Sequence, residues 1–374
     1  MSSNPSARSD TEAPSSSASP LIELYAFECG DGDTLLLCIA GRWWILVDCH
    51  LVGPTRDRFF DLLHAHDVQR LDLVCLSHAD RDHFLGMQEV VDHFTSGGRT
   101  IGYYCDAGVD PKQIRDLLKN RDPDEATEYE RLHLSLDQLF DQGQVIYHPF
   151  DENGLPFDFE THAGHVELTP IGPEPLVVRD LQRLAAATGR ASASLNAISL
   201  VLVLSLQEGR APFCTLLAGD MEVSTGDDRP AGLEHALDVW HDSCSRKKAS
   251  DRFDVVKVPH HGALDGLSPR LTGMRRGGPA LAIISVGTGY RTHPDRRVLE
   301  AYLEDGWIIL ATTKRNRKRS SDSPLDLFGR TQAGSEAEHV SNTISVSWDP
   351  LQGLAWLTKA GSIEREELGL YETA

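Results

Sequence analysis

Between Leu76 and Gly86 the chain reads Leu76-Ser77-His78-Ala79-Asp80-Arg81-Asp82-His83-Phe84-Leu85-Gly86. Four side chains able to hold a metal, His78, Asp80, Asp82 and His83, fall within six residues. Upstream, Leu71, Leu73, Val74 and Leu76 form an apolar run of strand length; downstream, Leu85, Val90, Val91 and Phe94 fall near helical spacing. The cluster therefore sits where a buried strand runs into a helix. In an extended segment His78 and Asp80 point the same way, and Asp82 with His83 serves a second position. Imidazole suits zinc, iron or manganese and carboxylate suits harder cations, so the mixture fits a two-metal hydrolytic site. A single His or Asp here would read as a cap on the following helix; the four together point to metal.

The stretch resembles the H-x-H-x-D-H signature of the metallo-β-lactamase superfamily, with Asp80 in the second His position. That variant is similar to the soluble hydrolase domain of the ComEC DNA-uptake (competence) family. Further stretches match in order. Gly30-Asp31-Gly32-Asp33-Thr34 resembles the opening turn. Ile45-Leu46-Val47-Asp48-Cys49 resembles a second strand, although Cys49 and His50 replace its usual small residues. Leu216-Leu217-Ala218-Gly219-Asp220, Lys257-Val258-Pro259-His260-His261-Gly262, and His293-Pro294 after Ile283-Ile284-Ser285-Val286-Gly287 complete the series. The resemblance implies an α/β fold, a four-layer αββα sandwich of two mainly antiparallel sheets flanked by helices. It also implies two divalent metal ions, Zn²⁺ or Mn²⁺, the Asp in place of His shifting preference toward manganese.

On this pattern the metal ligands are His78, Asp80, Asp82, His83, Asp220 and His261, with Asp220 bridging. Asp220 standing alone would read as a cap on the next helix. Asn196, in Asn196-Ala197-Ile198-Ser199-Leu200, stands where the superfamily places a further His, so it is a possible metal or substrate group. His260 and His261 are neighbours on an expected strand, 253–259, and period two turns them opposite ways. His261 is taken as ligand and His260 as a group acting on the transition state, though the roles can be exchanged. A water held between two metals has its pKa lowered from ~15.7 toward neutrality. Asp82 would orient that hydroxide or take its proton, and His260 and His293 would stabilise or protonate the leaving oxygen. His162 and His165 are weaker candidates.

The 374 residues are 40% hydrophobic with a formal net charge of -20, 56 acidic against 36 basic. That balance argues against a protein that coats nucleic acid. It leaves room for an enzyme that grips phosphates locally. Seven cysteines at irregular spacing read as reduced thiols of a cytoplasmic protein. No apolar run reaches the ~20 residues of a membrane span. Residues 1–20, rich in Ser and Pro, read as a disordered tail; 21–361 as the hydrolase domain; 362–374 as an acidic tail. Within the domain, 101–160 is a possible cap or lid and 314–339 a flexible insertion. The run Lys314, Arg315, Arg317, Lys318 and Arg319 in that insertion could bind a phosphate backbone.

The function expected from these features is a metal-dependent hydrolase, cleaving phosphodiesters as a nuclease or phosphodiesterase. Two alternatives stand beside it: a hydrolase of a small-molecule ester, thioester or lactone, and a binding or regulatory protein with a degenerate site.

Overall fold

The computed structural model describes residues 20–30, 32–96, 98–148, 157–173, 178, 195–206, 212–223, 232–285, 294–312, 343–350 and 353–359. The first strands are β1 (Ile22–Phe27), β2 (Leu35–Ile39) and β3 (Trp43–Val47), then helix α1 (Pro54–Ala65) and β4 (Arg70–Cys75). A short helix α2 (Arg81–Phe84) and α3 (Met87–Ser96) follow, then β5 (Thr100–Cys105), α4 (Pro111–Arg121), α5 (Pro123–Asp141) and β6 (Ile146–Tyr147). The second half gives β7 (Phe157–Thr161), β8 (Gly164–Gly172), β9 (Val201–Leu206), β10 (Phe213–Leu217), α6 (Leu233–Lys247) and β11 (Val255–Lys257). It continues with α7 (Pro269–Gly273), β12 (Leu281–Ile284), α8 (Arg296–Glu304), β13 (Ile308–Ala311), β14 (Thr343–Asp349) and β15 (Gly353–Lys359).

The strands form two mixed sheets, ordered β15-β14-β1-β2-β3-β4-β5-β6 and β13-β12-β11-β10-β9-β8-β7. Pairing from β15 through β3 is antiparallel, and from β3 to β6 it is parallel. The second sheet is parallel from β10 to β13 and antiparallel from β7 to β10. The parallel halves depend on the helices: parallel neighbours need a crossover connection, and here helices supply it. The antiparallel pairing expected of both sheets thus holds in one half of each.

Period two explains the layers. On β9, Leu202 and Leu204 face the core shared with the first sheet, while Val201 and Val203 face a separate cluster with Leu237 and Trp240 of α6 and Val298 and Tyr302 of α8. On the other side, Phe59 of α1, Val90 and Phe94 of α3 and Leu132 of α5 pack on the first sheet. The result is an α/β sandwich with helices on both outer faces. α5 buries Ala126, Tyr129, Leu132, His133, Leu136 and Leu139, so the expected cap region supplies a packed wall of the domain. The seven cysteines are free and buried. Among the described residues no helix is long and apolar enough to cross a membrane. Apart from Pro20, the tails lie outside the described residues, as does the 314–339 insertion.

Candidate metal centre

The candidate side chains come from strand ends at one rim of the sandwich. Asp48 follows β3, and Ser77 and His78 follow β4. Asp220 follows β10, His261 follows β11, and Asp33 precedes β2. The two sheets meet closely here. Leu200 N–H donates to Ser77 O at 2.8 Å, and a Cβ added to Gly219 would stand 3.0 Å from the Ser77 side chain. With φ of +50°, Gly219 also bends the chain so that Asp220 turns inward. Asp33 is tied to the metal motif by donation from its N–H to Asp82 O at 3.0 Å.

Four buried residues, Asp33, His83, Asp220 and His261, offer ligand atoms within 4.8 Å of one another. Asp220 Oδ2 lies 3.4 Å from His83 Nε2 and 3.3 Å from His261 Nε2. The far nitrogen of each ring is anchored. His83 Nδ1 lies 2.8 Å from Asp48 Oδ2, and His261 Nδ1 lies 3.2 Å from Ser285 O. Both acceptors lack a proton to give, so each ring carries its hydrogen on Nδ1 and turns the Nε2 lone pair into the site when neutral. Asp48 is itself fixed, accepting from Ser77 N and Ser77 Oγ at 2.7 Å each.

A second pair of ligand atoms stands beside the first group. His78 Nε2 lies 3.7 Å from Asp80 Oδ2, and the His78 and His83 rings are 4.1 Å apart. Asp80 Oδ1 is held by Arg121 Nη1 at 2.8 Å. Asp82 is partly exposed, as Asp80 is, with its Oδ2 4.0 Å from His261 Nε2. The geometry therefore brings His78, Asp80, Asp82, His83, Asp220 and His261 into one neighbourhood and adds Asp33.

The electrostatics are those of a site short of positive charge. Burial works against the Asp220 carboxylate, but His261 and His83 outweigh it and hold Asp220 well below the usual carboxylate range. Burial would push His83 down; Asp220 and Asp48 instead hold it well above the ordinary imidazole value. For Asp80, burial is outweighed by His78 and then Arg121, which lower it. Buried Lys257 stands 2.5 Å from Asp33 Oδ2 without hydrogen-bond geometry, a contact of charge on charge. The Nε2 atoms of His78, His83 and His261 and Oδ1 of Asp220 are buried without a hydrogen-bond partner. Buried polar atoms are normally satisfied, and this donor set of imidazoles and carboxylates fits a divalent cation.

His260 and His261 do not sit on a strand. β11 ends at Lys257, and the two histidines adopt φ of 47° and 51° in a tight left-handed turn. Period two therefore does not separate them. His260 Nε2 lies 4.0 Å from Asp220 Oδ2 while its Nδ1 lies 2.6 Å from Asp265. Burial would lower His260, but Asp265 and Asp220 raise it. Asn196 Nδ2 donates to Glu222 Oε1 at 3.2 Å and lies 3.3 Å from His260 Nε2, beside the site. Glu222, His260 and Asp265 form a second group of close ligand atoms. His165 pairs with Asp158 on the β7–β8 hairpin, away from this rim, and His162 lies in the hairpin turn. His293 and Lys314, Arg315, Arg317, Lys318 and Arg319 lie outside the described residues.

No family model matches the chain, and no curated protein matches it. Solved structures do. The metallo-β-lactamase fold protein YhfI from Bacillus subtilis is similar at 10% identity over 77% of this chain and 95% of its own, with a TM-score of 0.40. A diphosphatase of the PhnP family matches at 10% identity over 63% of this chain and 85% of its own, TM-score 0.26. The hydrolase AbOPH of the β-lactamase superfamily matches at 16% identity over 57% and 69%, TM-score 0.27.

Three residues that position the site were not singled out for it from sequence. Asp33 was visible only as part of a Gly-Asp turn, Asp48 only as a strand end, and Lys257 only as the first residue of the Lys257–Gly262 motif. The last carried a usable signal, since a lysine within a buried strand requires a partner charge.

Proposed function

We propose that this chain is a metal-dependent hydrolase of phosphodiesters, a nuclease or phosphodiesterase with two divalent ions, Zn²⁺ or Mn²⁺. The observation that carries the proposal is the cradle at the sheet rim. Asp33, His83, Asp220 and His261 place ligand atoms within 4.8 Å of one another, and both imidazole Nε2 atoms lack a hydrogen-bond partner. His83, Asp220 and His261 with Asp82 would hold one ion, and His78 and Asp80 with Asp220 the other. Bound there, divalent ions lower the pKa of water and offset charge on the scissile group.

The chain's own residues do the rest. Asp48 and Ser285 fix the two ring orientations, so neither ring has to turn when an ion enters. Asp82, more exposed than Asp33 and Asp220, can take a proton from an incoming water. His260, held at Nδ1 by Asp265, presents Nε2 to the same space and can hydrogen-bond a leaving oxygen. His293 is assigned a similar role from its motif. Support for a phosphodiester comes from the resemblance of His78–His83 to the ComEC hydrolase signature and from the basic run Lys314–Arg319. The formal charge of -20 favours the alternative, a small-molecule ester, thioester or lactone.

The test is metal analysis followed by turnover of bis-p-nitrophenyl phosphate, single-stranded DNA, RNA and a thioester with Mn²⁺ and Zn²⁺. Phosphodiester cleavage that Asp220→Asn and Asp82→Ala abolish is the expected outcome. Thioester turnover alone would transfer the site to the alternative. A protein that takes up neither metal and cleaves nothing would be a binding protein.

A further inference from the structure

The α4–α5 corner reaches the metal motif with a fixed guanidinium. Asp122 ends α4 and caps α5, accepting from Asp124 N at 2.9 Å and Glu125 N at 3.3 Å. This turn sets Arg121, the last residue of α4, against Glu125 in the first turn of α5. Glu125 is buried, and it receives Arg121 Nη2 at 2.5 Å and Nε at 3.2 Å. The same carboxylate accepts from the backbone N–H of Arg81 at 2.8 Å, inside the metal motif. Glu128, one turn along α5, holds the Arg81 side chain at 3.2 Å, and Phe84 packs edge-on against Tyr129 at 5.5 Å. Thus both ends of the Arg121–Glu125 pair grip the loop that carries Asp80.

The consequence falls on one carboxylate. Arg121 Nη1 takes Asp80 Oδ1 at 2.8 Å. Asp80 Oδ2 faces the unbonded Nε2 of His78 at 3.7 Å. Ligand atoms about 2.0–2.2 Å from a tetrahedral ion lie about 3.3 Å from each other, so this spacing needs little adjustment to accept one. With Oδ1 occupied, Asp80 can offer a cation a single oxygen. Single-oxygen ligation suits the low coordination number of zinc. A carboxylate free to use both oxygens favours manganese and other hard ions of higher coordination number.

We propose that Arg121, braced by Glu125, is a positioning residue that holds Asp80 to single-oxygen ligation and thereby sets the cation preference of the His78–Asp80 position toward zinc. The assignment rests on the metal-site reading above. It runs against the simple count of carboxylates in the motif, which favours manganese. Loss of the guanidinium charge changes the affinity of both ions in the same direction, because both are divalent. The zinc-to-manganese ratio therefore isolates the orientation.

The experiment measures Zn²⁺ and Mn²⁺ dissociation constants by chelator competition, with no substrate present. The proteins are wild type, Arg121→Met and Arg121→Lys, each confirmed folded by circular dichroism without metal. Outer partners of metal ligands are worth about 10–100-fold in affinity. Arg121→Met should lower the zinc preference at one of the two positions at least tenfold. Arg121→Lys, which keeps the charge but loses the fork, should lower it at least threefold. Co²⁺ at that position should absorb more weakly in the visible as its coordination number rises. An unmoved ratio in either folded variant overturns the proposal while leaving the hydrolase intact. A wild-type protein that binds neither ion sinks both.

Discussion

Asp48→Asn is the sharpest perturbation of the site, because it changes one charge and no shape. Asp48 is 1% exposed and sits at φ of 56°, a backbone state that Asn tolerates and Ala does not share as easily. Its Oδ1 accepts from Ser77 N, and its Oδ2 accepts from Ser77 Oγ and His83 Nδ1. The Ser77 amide can only donate, so an asparagine must turn its oxygen there. Its NH₂ then faces His83 Nδ1, donor against donor. His83 answers by moving its hydrogen to Nε2, the atom 3.4 Å from Asp220, where it can no longer ligate a cation. Loss of such an outer partner costs about 10–100-fold in metal affinity, or about 1.4–2.7 kcal/mol. The metal-free protein also loses a charge-assisted hydrogen bond, worth about 1.5–3 kcal/mol. Chelator competition measures the first effect and denaturant unfolding without metal the second. Wild-type metal affinity in a folded Asp48→Asn protein would show that the tautomer of His83 is not set by Asp48, and the ligand assignment of His83 would fall with it.

Two further perturbations probe burial of charge. His133 is buried in α5 with no partner for Nε2, and burial pushes its imidazole down to about 4. The folded state keeps it neutral, while the unfolded chain takes up its proton near 6.5. Stability should therefore be full above pH 6.5 and decline as pH falls toward 4, by up to about 3 kcal/mol; His133→Phe should flatten that acid limb in urea titrations, and an unaltered limb would assign it elsewhere. Lys257→Met should destabilise the metal-free protein by about 3–5 kcal/mol, because it strands Asp33 without its counter-charge. Lys257→Met combined with Asp33→Leu should recover most of the loss, and a double variant no more stable than the single would contradict the pairing.

What was legible in the sequence tracks the range of the interactions. The strand before His78 and the helices after it were visible because apolar periodicity is local. The convergence of Asp220 and His261 on His83 was expected through motif order, and in the structure Asp220 lies within 3.4 Å of both rings. The turn at His260–His261 was misread, because its left-handed backbone is imposed by its surroundings. His260 N–H bonds Gly219 O at 3.1 Å, and Gly262 closes against Pro294. Nothing in the local pattern Lys257-Val258-Pro259-His260-His261 announces that contact. Arg121 was invisible for the same reason. It lies 41 residues from Asp80 in a stretch whose charges read as a solvated helix face.

The mixed pairing of the two sheets is what makes the site possible. In a parallel run of strands all carboxyl ends emerge on one side, and loops that follow them share a crevice. β3 and β4 release Asp48 and His78 on that side of the first sheet. β10, β11 and β12, parallel to one another, release Asp220, His261 and Ser285 on that side of the second. An antiparallel sheet would send alternate strand ends to opposite rims and halve the ligands available at either. The antiparallel halves do different work: β1, β2, β8 and β9 present Leu24, Leu37, Leu168 and Leu204 to the common core that fixes one sheet on the other. Side chains at opposite rims of two independent sheets could not hold Asp220 Oδ2 at 3.4 and 3.3 Å from imidazoles of both. A core variant such as Leu204→Ala, which loosens one sheet on the other, should therefore weaken metal binding in chelator competition without touching a ligand, and unchanged affinity in the folded variant would refute this coupling.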